Sequence, residues 1–407
     1  MNRFPISLFL LAFVPLATNA EDDYLLEALR ANPEVAAAYQ SYLAASTKGP
    51  QVRALDEPTL SYSEFLTSVQ TRTGPQERTY AISQAFPWPG VLKLRERVAD
   101  ANARVAFYRY EVMRRQVIEK VGLARIEYAY LKRATDRAAE NLGLLEQIKP
   151  VVQEKVRAGG SLATSLRLDV ELAVADQEVD TLQDQRPGLD AQLKVLLGRD
   201  PGGDPLPWPD LPSQPPALMP LGSIRSELKT HHPKIRMAEA GIRTAEEGEA
   251  LAGKNGLPAF TVGANAIDIG NGGETASSVM LGVKLPLRRE KYRAEREEAA
   301  AMTAAASASL EATEQALLSD AVKLYAAQQE AVGRWQNYSS KLIPSATQAV
   351  DLTREDFRND KASLTDLIES ERILLDLRLL QARALADAHK AAWQIRSLTE
   401  PLSETSK

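Results

Sequence analysis

The chain repeats itself at an interval of about 200 residues, and this constrains its fold more than any other feature. Asn32-Pro33 recurs as His232-Pro233, and Glu57-Pro58-Thr59-Leu60 as Leu257-Pro258-Ala259-Phe260, both at an offset of 200. Phe86-Pro87 recurs as Leu285-Pro286 at 199, and Arg157 with Leu166 as Arg358 with Leu367 at 201. Each match is weak alone, but four in one order at a near-constant offset indicate an internal duplication. Each copy reads helix, strand pair, very long helix, break, helix. We expect a first repeat over 21–199, a second over 221–400 and a short tail at 401–407. Between the copies, within 200–220, DPGGDPLPWPDLPSQPP is too rich in proline and glycine for helix or central strand. It should be a linker packed on the outside of the helices.

The strand pattern changes abruptly in QAFPWPGVLKLR, residues 84–95. Tyr80, Ile82 and Phe86 precede it at alternate positions, while Leu94, Val98, Ala101, Val105, Tyr108 and Val112 follow at heptad spacing. In the second copy Phe260, Val262, Ala264 and Ala266 fall on one strand face. Val279, Leu281, Val283 and Leu285 do so on the return strand, after the glycine-rich DIGNGGET. Each strand reads as about 10 residues, enough to cross a bilayer when tilted. Hairpins packed on a helical core would show the same alternation. Nothing else in the chain is strand-rich, however, and four strands cannot close a barrel. Lipid does not tolerate open sheet edges, so a membrane sheet would have to be completed by other copies. Two copies give eight strands with a filled interior; three give twelve and room for a pore, which is the reading we favour.

The first long helix pattern runs from Val91 to about Ala158, roughly 100 Å, and the second from about Arg288 to Arg358. The chain then breaks at Gly159-Gly160 and at Asp360, with Ser161 and Ser363 as starts for the return helices. The return helix, about 164–198, and the helix opening the second copy, about 221–252, are each half that length. Stacked end to end they would match the long helix and put the linker at mid-height. Pro187 is a misfit that should kink or break the return helix.

Charged residues make up 25% and hydrophobic ones 44%, which excludes a polytopic helical membrane protein. Residues 1–20 read as a secretory signal peptide: Arg3, an apolar stretch over 6–17, and Thr18-Asn19-Ala20 before the cleavage point. Cleavage leaves 48 bases against 54 acids, a net charge of −6, with no sign of a nucleic-acid partner. The chain has no cysteine, hence no disulfide, thiolate metal site, Cys nucleophile or lipid attachment after the signal. His231-His232 invites a metal reading, but adjacent residues point different ways on a helix and His389 is the only other histidine. We expect no metal and no cofactor. Neither a Walker loop nor HExxH nor GxSxG is present, so we expect no enzyme.

Together the duplicated halves, the strand pairs, the proline junction, the small-residue returns and LKVLLGRDP (193–201) resemble the outer-membrane efflux proteins of the TolC type. The resemblance covers essentially the whole mature chain, and FPWPG resembles the form found in the heavy-metal-efflux branch. It implies a mainly α fold with a small β part: a homotrimer whose long antiparallel helices form a periplasmic tunnel below a shared twelve-stranded barrel. Its implied setting is the outer membrane of a Gram-negative bacterium, in contact with lipid. Its implied partners are a periplasmic adaptor and an inner-membrane efflux pump, with substrate, metal cations on the branch reading, leaving passively. The same architecture also serves organic compounds or secreted proteins, and an exported coiled-coil scaffold is the alternative from another class.

By resemblance, Phe86, Pro87, Trp88, Pro89 and Gly90, with Pro286 in the second copy, form the barrel–tunnel junction. Proline would end strand pairing there, and the aromatic rings suit a membrane interface. Asp366 and Glu369, three apart on the second return helix, match the acidic positions ringing the family's periplasmic entrance, with Glu in place of one Asp. They would equally suit a solvated helix start, which favours acids. The tips, with Arg157, Gly159, Gly160, Ser161 and Ser165 in one and Arg358, Asp360 and Ser363 in the other, would dock the adaptor or be turns alone.

Overall fold

The computed structural model describes residues 20–400; the expected signal peptide, except Ala20, and the 401–407 tail lie outside the described residues. The chain begins with three short helices, α1 (Ala20–Ala31), α2 (Pro33–Ser46) and α3 (Lys48–Arg53), leading into β1 (Thr59–Thr71) and β2 (Gly74–Phe86). The long α4 (Val91–Arg157) follows, then α5 (Leu162–Asp184) and α6 (Arg186–Leu197). Beyond the linker come α7 (Leu221–His231), α8 (Pro233–Asn255), β3 (Ala259–Ile269) and β4 (Ala276–Lys284). The chain closes with α9 (Arg289–Asn337), α10 (Ile343–Arg358) and α11 (Leu364–Thr399).

These helices stand in four columns. In the half near the sheet the neighbours run α2/α3, α4, α8, α9; in the other half they run α5, α4, α11, α9/α10. The sheet is antiparallel in the order β1-β2-β3-β4. Strand order therefore equals column order, since β1 follows α3, β2 leads into α4, β3 follows α8 and β4 leads into α9. Each strand continues one helical column. Both sheet and helices end in free edges on the same two sides.

Four features refine the sequence reading. The return helix breaks, as Pro187 led us to expect: the break is at Gln185, and Pro187 sits in the first turn of α6, where its missing N–H costs nothing. The helix opening the second copy breaks likewise at His232, with Pro233 first in α8. The second long helix contains a π-helical turn at Tyr338–Leu342, with Pro344 in the first turn of α10. A π turn holds an extra residue. The repeat offset grows from 199 before this helix to 201 at its end.

The fourth feature, the stacking, overturns the sequence reading. The return helix of the first copy does not stack on the helix opening the second; each copy closes on itself. Asn32 Nδ2 donates to Leu196 O at 3.0 Å, and Arg199 forks onto Glu27 at 2.5 and 2.6 Å, so α6 meets α1 and α2. Ala28, Val35, Leu193 and Leu197 share one core there with Val117, Val121 and Tyr128 of α4. In the second copy Ile224 and Leu228 of α7 pack against Ile395 of α11. Chain continuity does not enforce the expected stack because the linker moves sideways. Tyr128 Oη and Arg133 of α4 donate to Leu206 O and Leu211 O of the linker; Gln328 of α9 then donates to Pro216 O and Ala217 O.

Gly122 lets α4 approach α11 closely. A Cβ on Gly122 would fall 2.0 Å from the indole of Trp393, whose Nε1 donates to Glu119 O. Helix propensity alone favours Gly122→Ala by about 1 kcal/mol. The clash should outweigh it, so we expect a net loss of about 1–3 kcal/mol, read as a lower unfolding midpoint.

Candidate functional site

The junction is built by a local backbone requirement. Gly90 has φ +87°, a left-handed conformation that glycine adopts without Cβ strain, and it turns the chain from β2 into α4. Val91 N donates back to Trp88 O at 3.0 Å, and Lys254 at the end of α8 donates to Pro89 O at 3.3 Å. Trp88 stacks on Phe260 with centroids 6.0 Å apart. Pro286 lies in the irregular segment between β4 and α9.

Strand register sorts the sheet into two chemically distinct faces. One carries the cross-strand rows Leu60–Ile82–Ala264–Val279 and Phe86–Phe260–Val283. The other carries Thr59–Ser83–Gly263–Met280 and Ser61–Ala81–Asn265–Ser278. The apolar face is uncovered: Leu60, Val279 and Leu281 are 75–79% exposed. At its far end lies the row Glu64–Arg78–Asp268, beside the ring pair Tyr62–Tyr80 at 5.3 Å. From Phe86 to Arg78 is about 27 Å of strand, roughly 20 Å of height once tilted, close to the apolar band of an outer-membrane barrel. Aromatic rings bound this band at both ends.

At the opposite end of the helices the two copies use the same devices. Gly159 (φ +102°) and Asp360 (φ +58°) take the left-handed position after the long helices. Ser161 and Ser363 cap the return helices, accepting from Ala163 N at 3.2 Å and Asp366 N at 3.2 Å. Gly160 N donates to Lys155 O at 2.9 Å, Arg157 pairs with Glu154 at 3.2 Å, Ser165 is half-buried and Arg358 is exposed. Ties between the tips escaped the sequence reading. Lys155 bridges to Asp360 at 2.5 Å and covers the Phe357 ring at 4.3 Å, and Arg372 pairs with Glu171 at 2.8 Å. Glu171 and Arg372 are 201 residues apart, the repeat offset, so opposite charges at matched positions were a usable signal.

Asp366 and Glu369 share one exposed face of α11. His389 meets Gln214 O of the linker at 3.1 Å, and both acids lie about half a turn round from it. Ile373, Asp376 and Leu380 continue their stripe, also exposed. Asp366 has a second duty: its Oδ2 accepts from Ser363 N at 2.9 Å and Ser363 Oγ at 2.7 Å, a capping box. The Ser363 hydroxyl and then its amide hold the Asp366 carboxyl below the usual range. Glu369 makes no ion pair among the described residues. Higher on the same side, Glu127 of α4 pairs with Arg383 at 2.9 Å and with Lys390. Asp387 pairs with Arg383 at 3.0 Å and Arg334 at 3.1 Å. Burial would raise the Glu127 carboxyl, but Lys390 and Arg383 override it and hold it low.

This architecture has close counterparts. VceC, an outer membrane protein of Vibrio cholerae, superposes with a TM-score of 0.77 at 17% identity, over 94% of this chain and 96% of its own. CusC, whose structures concern folding and transmembrane channel formation, gives 0.80 at 15%, over 95% and 96%. The open-state MtrE outer membrane channel of Neisseria gonorrhoeae gives 0.71 at 16%, over 92% and 88%. Comparison with curated proteins finds no match. A sequence model of the outer membrane efflux protein family matches residues 224–399. That match covers most of the second copy. The fold of such channels extends over nearly all of the chain.

No group of histidine and acidic side chains suited to a metal ion occurs among the described residues. His232 instead does the work of Asn32. It is buried, and its Nδ1 accepts from Lys234 N at 3.2 Å, as Asn32 Oδ1 accepts from Glu34 N at 2.8 Å. Burial, then the charges of Arg115 and Lys234, push its pKa down to about 3. The unfolded chain thus binds the extra proton first. The stabilisation is complete above about pH 6.5 and is lost as pH falls toward 3. Relative to His232→Asn, the native protein should lose about 2 kcal/mol between pH 8 and pH 5, measured by urea unfolding at each pH.

Proposed function

We propose that this protein is the outer-membrane exit duct of a tripartite efflux system, extending into the periplasm of a Gram-negative bacterium. The carrying observation is the two-faced sheet, apolar and uncovered on one side and polar on the other, continued strand by strand into helical columns. A scaffold would pack the apolar rows on its own helices. Here β1 and β4 remain as free edges, and the apolar residues Leu166, Val170 and Val174 on α5, with Leu352 on α10, are exposed at the helical edges. Three copies joined edge to edge give twelve strands over twelve columns, with the linkers outside and the polar rows inside.

On this reading Asp366 and Glu369 converge at the tunnel entrance as an acidic ring, where self-repulsion is relieved by protonation or by basic partner residues. The tips at Arg157–Ser165 and Arg358–Ser363 receive a periplasmic adaptor, which joins the duct to an inner-membrane pump. That metal cations are the cargo is a finer reading, supported by the FPWPG stretch and by the acidic pair. The duct itself performs no covalent chemistry.

Single-channel recording in a planar bilayer tests the reading. The mature protein should give a small cation-selective conductance. Asp366→Asn/Glu369→Gln should raise the conductance or abolish its selectivity. An unchanged conductance would move the gate elsewhere, and a protein that cannot insert would return the scaffold.

A further inference from the structure

A second surface lies where β4 gives way to α9. Arg288, Arg289 and Lys291 stand there against one acid, Glu290, and all four are exposed. Lys93 in the first turn of α4 and Lys254 in the last turn of α8 lie at the same level, since Lys254 touches the Pro89 carbonyl and Gly256 abuts Tyr292. The collar thus spans three neighbouring columns and carries five bases per chain. Lys291 finds Glu295 only at 3.5 Å, and Lys93, Arg288 and Arg289 make no ion pair among the described residues. Clustered like charge is a local cost that an external anion would offset.

Its place identifies the anion. Along the protein surface the apolar rows give way to Phe86, Trp88 and Phe260, and these to the collar. Acyl chain, interface and phosphate occur in that order in a leaflet. Exposed Leu285 and Leu287 just before Arg288 keep the collar continuous with the apolar band. We infer that this collar binds the headgroup phosphates of anionic phospholipids in the periplasm-facing leaflet, which rests on the outer-membrane reading of the sheet. Long arginine and lysine stems reach from the helix ends to the phosphate plane. The competing counter-charge is Asp56-Glu57 before β1, which an adjacent copy would bring to this edge.

The test compares the native protein with Arg288→Gln/Arg289→Gln/Lys291→Gln. Both are reconstituted in vesicles of phosphatidylcholine alone or mixed with about a third phosphatidylglycerol, and the lipid retained after re-extraction is counted. The native protein should retain phosphatidylglycerol about threefold over its share, and the triple variant should fall to parity with its oligomer and conductance intact. Arg288→Lys/Arg289→Lys should keep the enrichment. Parity in the native protein, or enrichment undiminished in the triple variant, overturns the inference while leaving the duct standing. Inorganic phosphate abolishing the enrichment would identify a free-anion site instead. Dissociation of the triple variant into single chains would assign the collar to Asp56-Glu57 of the next copy. Failure of the native protein to insert would overturn the outer-membrane reading and this inference together.

Discussion

Everything in this structure follows from the unpaired edges of β1 and β4. A strand edge presents alternating N–H and C=O groups, and each costs several kcal/mol if it enters hydrocarbon without a partner. One chain offers four strands and two such edges, so it is not a complete membrane structure. Closure with other copies satisfies the edges and covers the apolar helical edges in the same step, because both lie on the same two sides. On the duct reading, insertion and assembly would be one event, and a stability assigned to the single chain would describe only the helical part.

The duplication makes this closure geometrically simple. Strand order equals column order, so one rotation that pairs β4 with the next β1 also brings α9 beside the next α2 and α3. Each copy must then fill its short column from its own ends, α1–α3 on α5–α6 and α7–α8 on α11. The joints show how. At the first, Gly198 takes φ +73° and comes so close to Ala31 that a Cβ would lie 2.6 Å from the Ala31 carbonyl oxygen. At the second, the buried Arg115 donates to Ser397 O and to Glu400 O at 2.8 Å, closing the end of α11. The linker remains outside and leaves the opposite helix faces clear.

Much of this was legible in the sequence, because it depends on local chemistry. Alternation in Phe260–Ala266 and Val279–Leu285 gave the strand faces, and Gly159, Ser161 and Ser363 gave the turns and caps. The stacking was not legible: position along the chain says where the linker starts and ends, not which column it crosses. Asn32-Pro33, His232-Pro233 and Pro187 each mark a helix break, yet only Pro187 raised suspicion, since the other two were read as repeat markers within single helices. The capping box of Ser363 and Asp366 was readable from its spacing, and it means the acid has a structural role whatever its part in a gate. The single extra residue of the π turn left only part of a two-residue drift in the repeat offset.

The distribution of charge says where such a duct could discriminate. Rows on the polar sheet face carry mostly Ser, Thr, Asn, Ala, Gly and Met, with Lys284 opposite Ala259 at the helix end, so most of that face offers hydrogen bonds without a fixed charge. Midway down, Glu127, Asp387, Arg383, Arg334 and Lys390 are bound to one another, and paired charges hold α4, α9 and α11 together while projecting little field. At the tip Asp366 accepts bonds that keep it ionised, and Glu369 has no ion-pair partner among the described residues. Acidic charge without a partner therefore stands at the tip, while bases without ion pairs stand in the collar at the sheet end of the helices. On the duct reading, the acidic tip would be a stage at which electrostatics sorts ions, and the choice among neutral cargoes would fall to whatever docks there.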